Sequence, residues 1–366
     1  MLYRVIGIMS GSSLDGLDIA FVEFEETGRK WSYEIKVAQC VPYSDQWYKN
    51  LQQANRLSAY DYLLLHSSYG KYIGTKINAF IEEFGLHHKV QLISSHGHTT
   101  FHSPSSGMTA QLGDGAAIAA TTELNVVSDL RAMDIAFGGQ GAPIVPIGEK
   151  LLFDDYTHFL NLGGIANLSF KSPAGYIAFD VCPANRVMNM LAEVDAKEYD
   201  EAGSIAASGK VFTPMFNRLN ALSYYSLPYP KSLANAFGTD EVFPLINGFD
   251  ISNADKLRTY VEHIVMQIAS AIQRLGLTTS ESTNKKMLVT GGGAFNTFLV
   301  QRLAAIIEPL HIEVVVPNAM LVSYKEALIM ALIGVLRWRE EYNVLDTVTG
   351  ARRSSIGGAV WIGQEG

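Results

Sequence analysis

Asp180 closes the apolar segment Tyr176-Ile177-Ala178-Phe179 and precedes Val181-Cys182-Pro183-Ala184-Asn185, a turn leading into a helix expected at about Arg186 to Leu191. A carboxylate at a strand end is well placed to act as a general base. The same position also suits an aspartate that caps a helix or closes a turn. Asp129, Arg131 and Asp134 form another polar set, ahead of Gly138-Gly139-Gln140-Gly141-Ala142-Pro143. These side chains can recognise substrate oxygens or form an internal network under the Gly-rich turn. Glu326 follows Val322-Ser323-Tyr324-Lys325 at the start of an apolar helix that runs on through Leu328 to Leu336. It can satisfy the helix dipole or touch a substrate.

Three glycine loops accompany these acids. Gly11-Ser12-Ser13-Leu14-Asp15-Gly16-Leu17-Asp18 offers backbone N–H groups, hydroxyls and two carboxylates directly after an apolar strand. Such a loop can cradle phosphate and hold Mg²⁺ through water, or be an ordinary hairpin turn. Gly163-Gly164 lets a backbone approach a ligand, and Gly291-Gly292-Gly293 can receive a base or ribose near a helix N-terminus. Together the loops point to a nucleotide. No GxGxxG opens a βαβ unit, and Gly203 to Lys210 misses the P-loop spacing by one residue, with Val211 after Gly209-Lys210. His96, His98 and His102 raise a metal alternative, but no HExxH accompanies them. On a strand, His-x-His places both rings on one face, which suits hydrogen bonding as well.

The elements that must position these residues follow from periodicity. Tyr3 to Met9 and Ile19 to Phe24 read as a hairpin, and His158 to Leu162 with Ile165 to Phe170 repeat that plan. Tyr69, Ile73, Ile77, Phe80 and Ile81 predict an amphipathic helix over 58–84, ended by Gly85. Another helix is expected from an Asn253 N-cap to Gly276. Met287 to Val289, the Gly291–Gly293 turn, a helix near Asn296 and a strand from Ile312 to Val316 make an α/β unit. Leu222 to Gly248 mixes Pro, Gly and aromatic residues and is expected to be a long functional loop.

With 366 residues the chain is long enough for two domains. Its 17% charged and 48% hydrophobic content excludes disorder as the main state, and a net charge of −8 disfavours nucleic acid and anionic membrane as partners. Cys40 and Cys182 belong to no disulfide or zinc spacing. No stretch is expected to reach the ~20 apolar residues that span a bilayer, so the expected location is cytoplasmic.

Ordered along the chain are Gly7-Ile8-Met9-Ser10-Gly11-Ser12-Ser13-Leu14-Asp15-Gly16-Leu17-Asp18, Ser95-His96-Gly97, Gln111-Leu112-Gly113-Asp114-Gly115 and the long run from Ser128 to Pro146. Asn161-Leu162-Gly163-Gly164-Ile165-Ala166-Asn167, Gly291-Gly292-Gly293-Ala294-Phe295-Asn296 and Val348-Thr349-Gly350-Ala351 complete the set. In these segments the chain resembles the anhydro-N-acetylmuramic acid kinase family. The resemblance implies a two-domain actin-like ATPase (ASKHA) α/β fold with an interdomain active-site cleft. Domains are expected at 1–125 plus 341–366 and at 126–340.

It also implies an ATP- and Mg²⁺-dependent enzyme of cell-wall recycling, often a homodimer, that opens the 1,6-anhydro ring with water and phosphorylates O6. Asp180 matches the family's water-activating aspartate. Asp129, Arg131, Asp134, Glu326 and His96 match its sugar side. Gly11 to Asp18, with Gly163, Gly164 and Gly291 to Gly293, fall to ATP; no metal ligand is assigned. Where the family usually has Gly-Pro-Gly-Asn, Ser-His-Gly-Gln and Thr-Gly-Arg-Glu, this chain has Cys182-Pro183-Ala184-Asn185, His98 as the fourth residue, and Leu233-Ala234-Asn235-Ala236. A kinase for another anhydro or amino sugar, or a nucleotide-binding regulator without turnover, are the rival readings.

Overall fold

A computed structural model describes residues 1–11, 14–172, 175–229, 231–234, 236–276 and 285–364, so the expectations for Ser12, Ser13 and Asn235 lie outside the described residues. The strands are β1 (Leu2–Ser10), β2 (Gly16–Thr27), β3 (Lys30–Pro42), β4 (Leu92–Ser103), β5 (Met108–Leu112), β6 (Val126–Ser128), β7 (His158–Leu162), β8 (Ile165–Ser172), β9 (Gly175–Pro183), β10 (Lys285–Thr290), β11 (Ile312–Val315) and β12 (Ala359–Trp361). The chain divides into two compact units, Met1–Asp154 with Tyr324–Gly366, and Asp155–Ser323.

In the first unit the sheet order is β12-β6-β4-β1-β2-β3, with β5 paired to β4. The β1-β2-β3 meander is antiparallel, while β4 runs parallel to β1 and to β6. In the second unit the order is β11-β10-β7-β8-β9. Again the first three strands, β7-β8-β9, form an antiparallel meander, and β10 runs parallel to β7 and to β11. The same topology on two sequences that hardly resemble each other is the doubled α/β plan of the actin-like fold.

Burial explains these choices. Ile6, Ile8, Leu17, Ile19 and Phe21 meet Tyr69, Ile73, Ile77 and Phe80 of the Ala59–Glu83 helix in one core. Ser58 caps that helix by accepting from Asp61 N–H. In β1 the run Val5 to Ile8 is buried on both faces, and Gly7 shows why. A Cβ there would overlap the Ala327 carbonyl oxygen and come 2.9 Å from the Ala331 Cβ, in the Ala319–Trp338 helix. Glycine thus brings strand and helix backbones together. Ser94 seals the same contact by donating to the Met330 carbonyl at 2.6 Å.

The unit boundaries differ from the expected 125/126 and 340/341. β6 pairs with β4 and β12, which ties residues after 125 to the first sheet, and the helix after Tyr324 packs on β1 of that sheet. Ala319–Trp338 is itself long and apolar enough to cross a membrane by length and composition, contrary to the expected absence of such a stretch. Of its apolar window 72% is buried in the fold, so protein packing accounts for its composition. Tyr324, at φ −118° and ψ 15°, interrupts it.

The second unit's core gathers Leu160, Leu162, Leu168, Val187, Leu191 and Val289 around Leu257, Val261, Ile264, Ile268 and Ile272 of the Asn253–Arg274 helix. Its N-cap is Ser252, one residue before the expected Asn253; the Ser252 side chain accepts from Asp255 N–H at 3.1 Å.

Candidate active site

Asp180 lies inside β9, three residues before its end, rather than closing a strand. The β8–β9 register slips between Ala166 and Asn167, a bulge of the kind that re-aims a side chain. Asn167 Nδ2 donates to Asp180 Oδ1, and the Leu233 backbone N–H donates to Asp180 Oδ2 at 2.8 Å. Asp180 N–H donates to the Lys231 carbonyl at 3.1 Å, and the Tyr224 hydroxyl donates to the Asp180 carbonyl at 2.6 Å. Burial raises the Asp180 pKa above the ordinary 3.8, and the two donors to its carboxylate oppose that rise. The segment expected as one long loop over 222–248 instead carries helical turns at Ser223–Ser226, Phe237–Val242 and Phe243–Asn247, and its Tyr224, Lys231 and Leu233 fasten Asp180. Leu233 reaches it through the backbone N–H, which any residue but proline at that position would preserve. Asn167, Tyr224 and Leu233 were not legible as site residues: their contribution is a register position or a main-chain donor.

Two glycine loops meet just beyond the same end of this hairpin, next to the Ile165–Pro183 pair. Ala184 N–H donates to the Gly164 carbonyl at 2.8 Å, and Asn185 N–H to that of Gly163 at 3.0 Å. Asn185 Nδ2 donates to the Leu162 carbonyl at 2.9 Å. Gly291, at φ +81°, has its Cβ position 2.5 Å from Asn161 Oδ1; that of Gly293 is 2.7 Å from the Leu162 Cβ and 2.8 Å from Asn185 Oδ1. Asn185 is thus the hub joining Gly163-Gly164 to Gly291–Gly293, and it starts the Asn185–Glu193 helix.

In the first unit Gly11 accepts from Leu14 N–H at 3.4 Å, and Leu14 takes a left-handed φ of +62°. Gly16, Leu17 and Asp18 already belong to β2. Asp15 is exposed. Burial, the neighbouring charge of Glu326 and that of Asp15 push the Asp18 pKa to about 6, against a hydrogen bond from the Cys40 thiol. Burial likewise raises Glu326, opposed by Lys325 and Arg131. Lys325 forms a buried ion pair with Glu149 at 3.1 Å.

The folded-state pKa of Asp18 stands above its ordinary 3.8, so the native state holds the extra proton. The stability this gives is complete below about pH 3.8 and lost as pH rises through about 6. Relative to Asp18→Asn, the wild type is expected to lose roughly 2 kcal/mol between those limits, discounting for partial exposure. Urea unfolding of both proteins across that pH range checks this; a pH-independent difference would exclude the shift.

His96, Arg131 and Asp134 come together as one chain of hydrogen bonds. His96 Nδ1–H donates to the Gly97 carbonyl at 2.9 Å, and its Nε2 accepts from Arg131 Nε at 2.7 Å. Burial, reinforced by the Arg131 charge, lowers the His96 pKa to about 3 and keeps it neutral, as that tautomer requires. Arg131 Nη1 donates to the Gly141 carbonyl at 2.6 Å, and Gly141 N–H donates to Asp134 Oδ2 at 2.7 Å. Thr349 Oγ1 donates to Asp134 Oδ1 at 2.7 Å. Asp134 is wholly buried, whereas Asp129 is exposed at a left-handed φ of +55°. Thr349, absent from the expected site, brings the Val348-Thr349-Gly350-Ala351 segment to the Gly138–Pro143 loop.

The expectation that His96 and His98 share a face by simple alternation does not hold as reasoned. Ile8 pairs with Ser95 and Ser10 with His98, so β4 carries an extra residue at Gly97, φ +71°. His98 Nδ1 instead meets Ser10 Oγ at 3.1 Å, Ser10 Oγ meets the Tyr43 hydroxyl at 2.7 Å, and that hydroxyl meets Tyr69 at 2.6 Å. Among the described residues no group of three or more His, Cys, Asp and Glu side chains is placed to hold a metal ion.

The family model for anhydro-N-acetylmuramic acid kinase matches residues 3–363. The chain belongs to this family. A relative of that name from Hydrogenovibrio crunogenus is 32% identical over 97% of each chain, and one from Coxiella burnetii 30% identical over 99% of this chain and 98% of its own. Among solved structures, the activator of 2-hydroxyisocaproyl-CoA dehydratase from Clostridium difficile covers 92% of this chain and 96% of its own, at 12% identity and a TM-score of 0.47. As a member of the anhydro-N-acetylmuramic acid kinase family the protein is an ATP-dependent sugar kinase.

Proposed function

We propose that the enzyme opens the 1,6-anhydro ring of anhydro-N-acetylmuramic acid with water and phosphorylates the freed O6, giving N-acetylmuramate 6-phosphate and ADP, as a cytoplasmic homodimer. The observation that carries the mechanism is Asp180: a largely buried carboxylate with a raised pKa, fixed by Asn167 and Leu233. It takes one proton from the water whose oxygen attacks C1. The C1–O6 bond breaks, O6 attacks the γ-phosphorus, ADP leaves, and Asp180 returns its proton to solvent. Coupling the two bond changes on positioned reactants lowers the barrier of each.

The exposed Asp129, with Arg131 and Glu326, handles the sugar, and His96 acts as a positioning residue, since its two ring nitrogens are occupied by Gly97 and Arg131. Asp134 acts as a positioning residue, since its carboxylate is occupied by Gly141 and Thr349. Gly11 to Asp18, Gly163-Gly164 and Gly291–Gly293 serve ATP. Mg²⁺ would be held chiefly by the nucleotide phosphates; Asp15, and Asp18 at the start of β2, would offer it oxygens, and the ion would neutralise phosphate charge.

The test is ADP release with MgATP, with and without the anhydro sugar, followed by mass analysis. A sugar product heavier by water plus a phosphoryl group is expected. ATP-binding protein with no sugar-dependent ADP would exclude this substrate.

A further inference from the structure

Arg186 follows Asn185 in the first turn of the Asn185–Glu193 helix. Its Cβ and Nε each lie 3.8 Å from the point where a Gly164 side chain would begin, so its stem lies alongside Gly164. The buried Nε has no hydrogen-bond partner. Thr290, fully buried and paired with Asn161 in the strand ladder, also leaves its Oγ1 unpartnered immediately before Gly291. Buried donors are nearly always satisfied, and a guanidinium is always charged. Two unpaired polar atoms beside two converging glycine loops therefore mark a place prepared for a polar ligand.

The turn has the room. Around the Cβ positions of Gly163 and Gly164 nothing lies nearer than 3.5 Å, and neither residue has a left-handed φ. No protein contact demands glycine there, so the space is left to something else. A guanidinium matches phosphate oxygens in geometry as well as charge.

We propose that Arg186 binds a phosphate oxygen of the nucleoside triphosphate at the Gly163-Gly164 turn, as a binding residue of this chain. The proposal rests on the reading of that turn as part of the ATP site. The sugar's own carboxylate is the other oxyanion in the reaction, and the experiment separates the two.

Calorimetric titration of the full chain with the Mg complex of a non-hydrolysable ATP analogue, with adenosine and with anhydro-N-acetylmuramic acid is compared for wild type, Arg186→Met and Arg186→Lys. Arg186→Met is expected to weaken the triphosphate analogue about tenfold or more, leaving adenosine and sugar affinities within about twofold. Arg186→Lys, which keeps the charge but not the fork, is expected to lose several-fold for the analogue alone and remains informative if the Met variant does not fold. Unchanged analogue affinity in a folded variant overturns the proposal, as does a loss confined to the sugar. Wild-type protein that binds the analogue no better than adenosine also overturns it. Tight analogue binding without sugar turnover would instead defeat the proposed substrate and leave this assignment standing.

Discussion

Replacing Asp180 by asparagine is expected to lower kcat about a hundred- to ten-thousandfold while MgATP affinity stays within about twofold, because only the proton-accepting step is removed. The wild-type kcat/KM should rise with pH through an ionisation above 3.8, since burial raises this carboxylate and the base works deprotonated. That acid limb should vanish from the residual activity of the variant. A structural cost accompanies the chemical one. Asp180 accepts from the Asn167 amide on one oxygen and from Leu233 N–H on the other, so an asparagine must turn its own NH₂ toward a donor. One unsatisfied donor costs about 1–3 kcal/mol, which urea unfolding reads separately from kinetics. Turnover close to wild type would remove Asp180 from the base role.

Asp134→Ala should be the most damaging change to stability, about 3 kcal/mol or more by chemical denaturation. The wholly buried carboxylate accepts from Gly141 N–H and the Thr349 hydroxyl, and Gly141 in turn accepts from Arg131. Alanine would strand both donors and release the loop on which the Arg131 fork rests. A raised KM for the sugar is expected at whatever temperature the variant remains folded. Wild-type stability would show that Asp134 does not hold the loop.

Local pattern made much of the framework legible. Tyr69, Ile73, Ile77 and Phe80 recur at helical spacing because one face of their helix meets the sheet, and the strand from Ile19 to Phe24 runs on from a recognisable hairpin. The glycine pairs and Asp180 stood out because turns and isolated acids interrupt apolar runs. What stayed hidden depends on register or on distant segments. The extra residue at Gly97 defeats the alternation that would have placed His96 and His98. Thr349 meets Asp134 across 215 positions of sequence, and Leu233 serves Asp180 with an atom common to almost every residue. The unit boundaries leave little local signal for the same reason: β6 is only three residues long, and its partner β12 lies more than 200 positions away.

The division of the chain bears on its synthesis. Residues 155–323 form one continuous unit, while the other needs Tyr324–Gly366 as well as Met1–Asp154. Leaving the ribosome, the first-made segment therefore waits, its β1 lacking the helix that carries Ala327 and Ala331, while the middle of the protein acquires every strand of its sheet. Domains usually mature from the N-terminus onward; here the inserted unit is complete first. The strand β1 can seat Gly7 against Ala327 and Ala331 only after the whole inserted unit has been made.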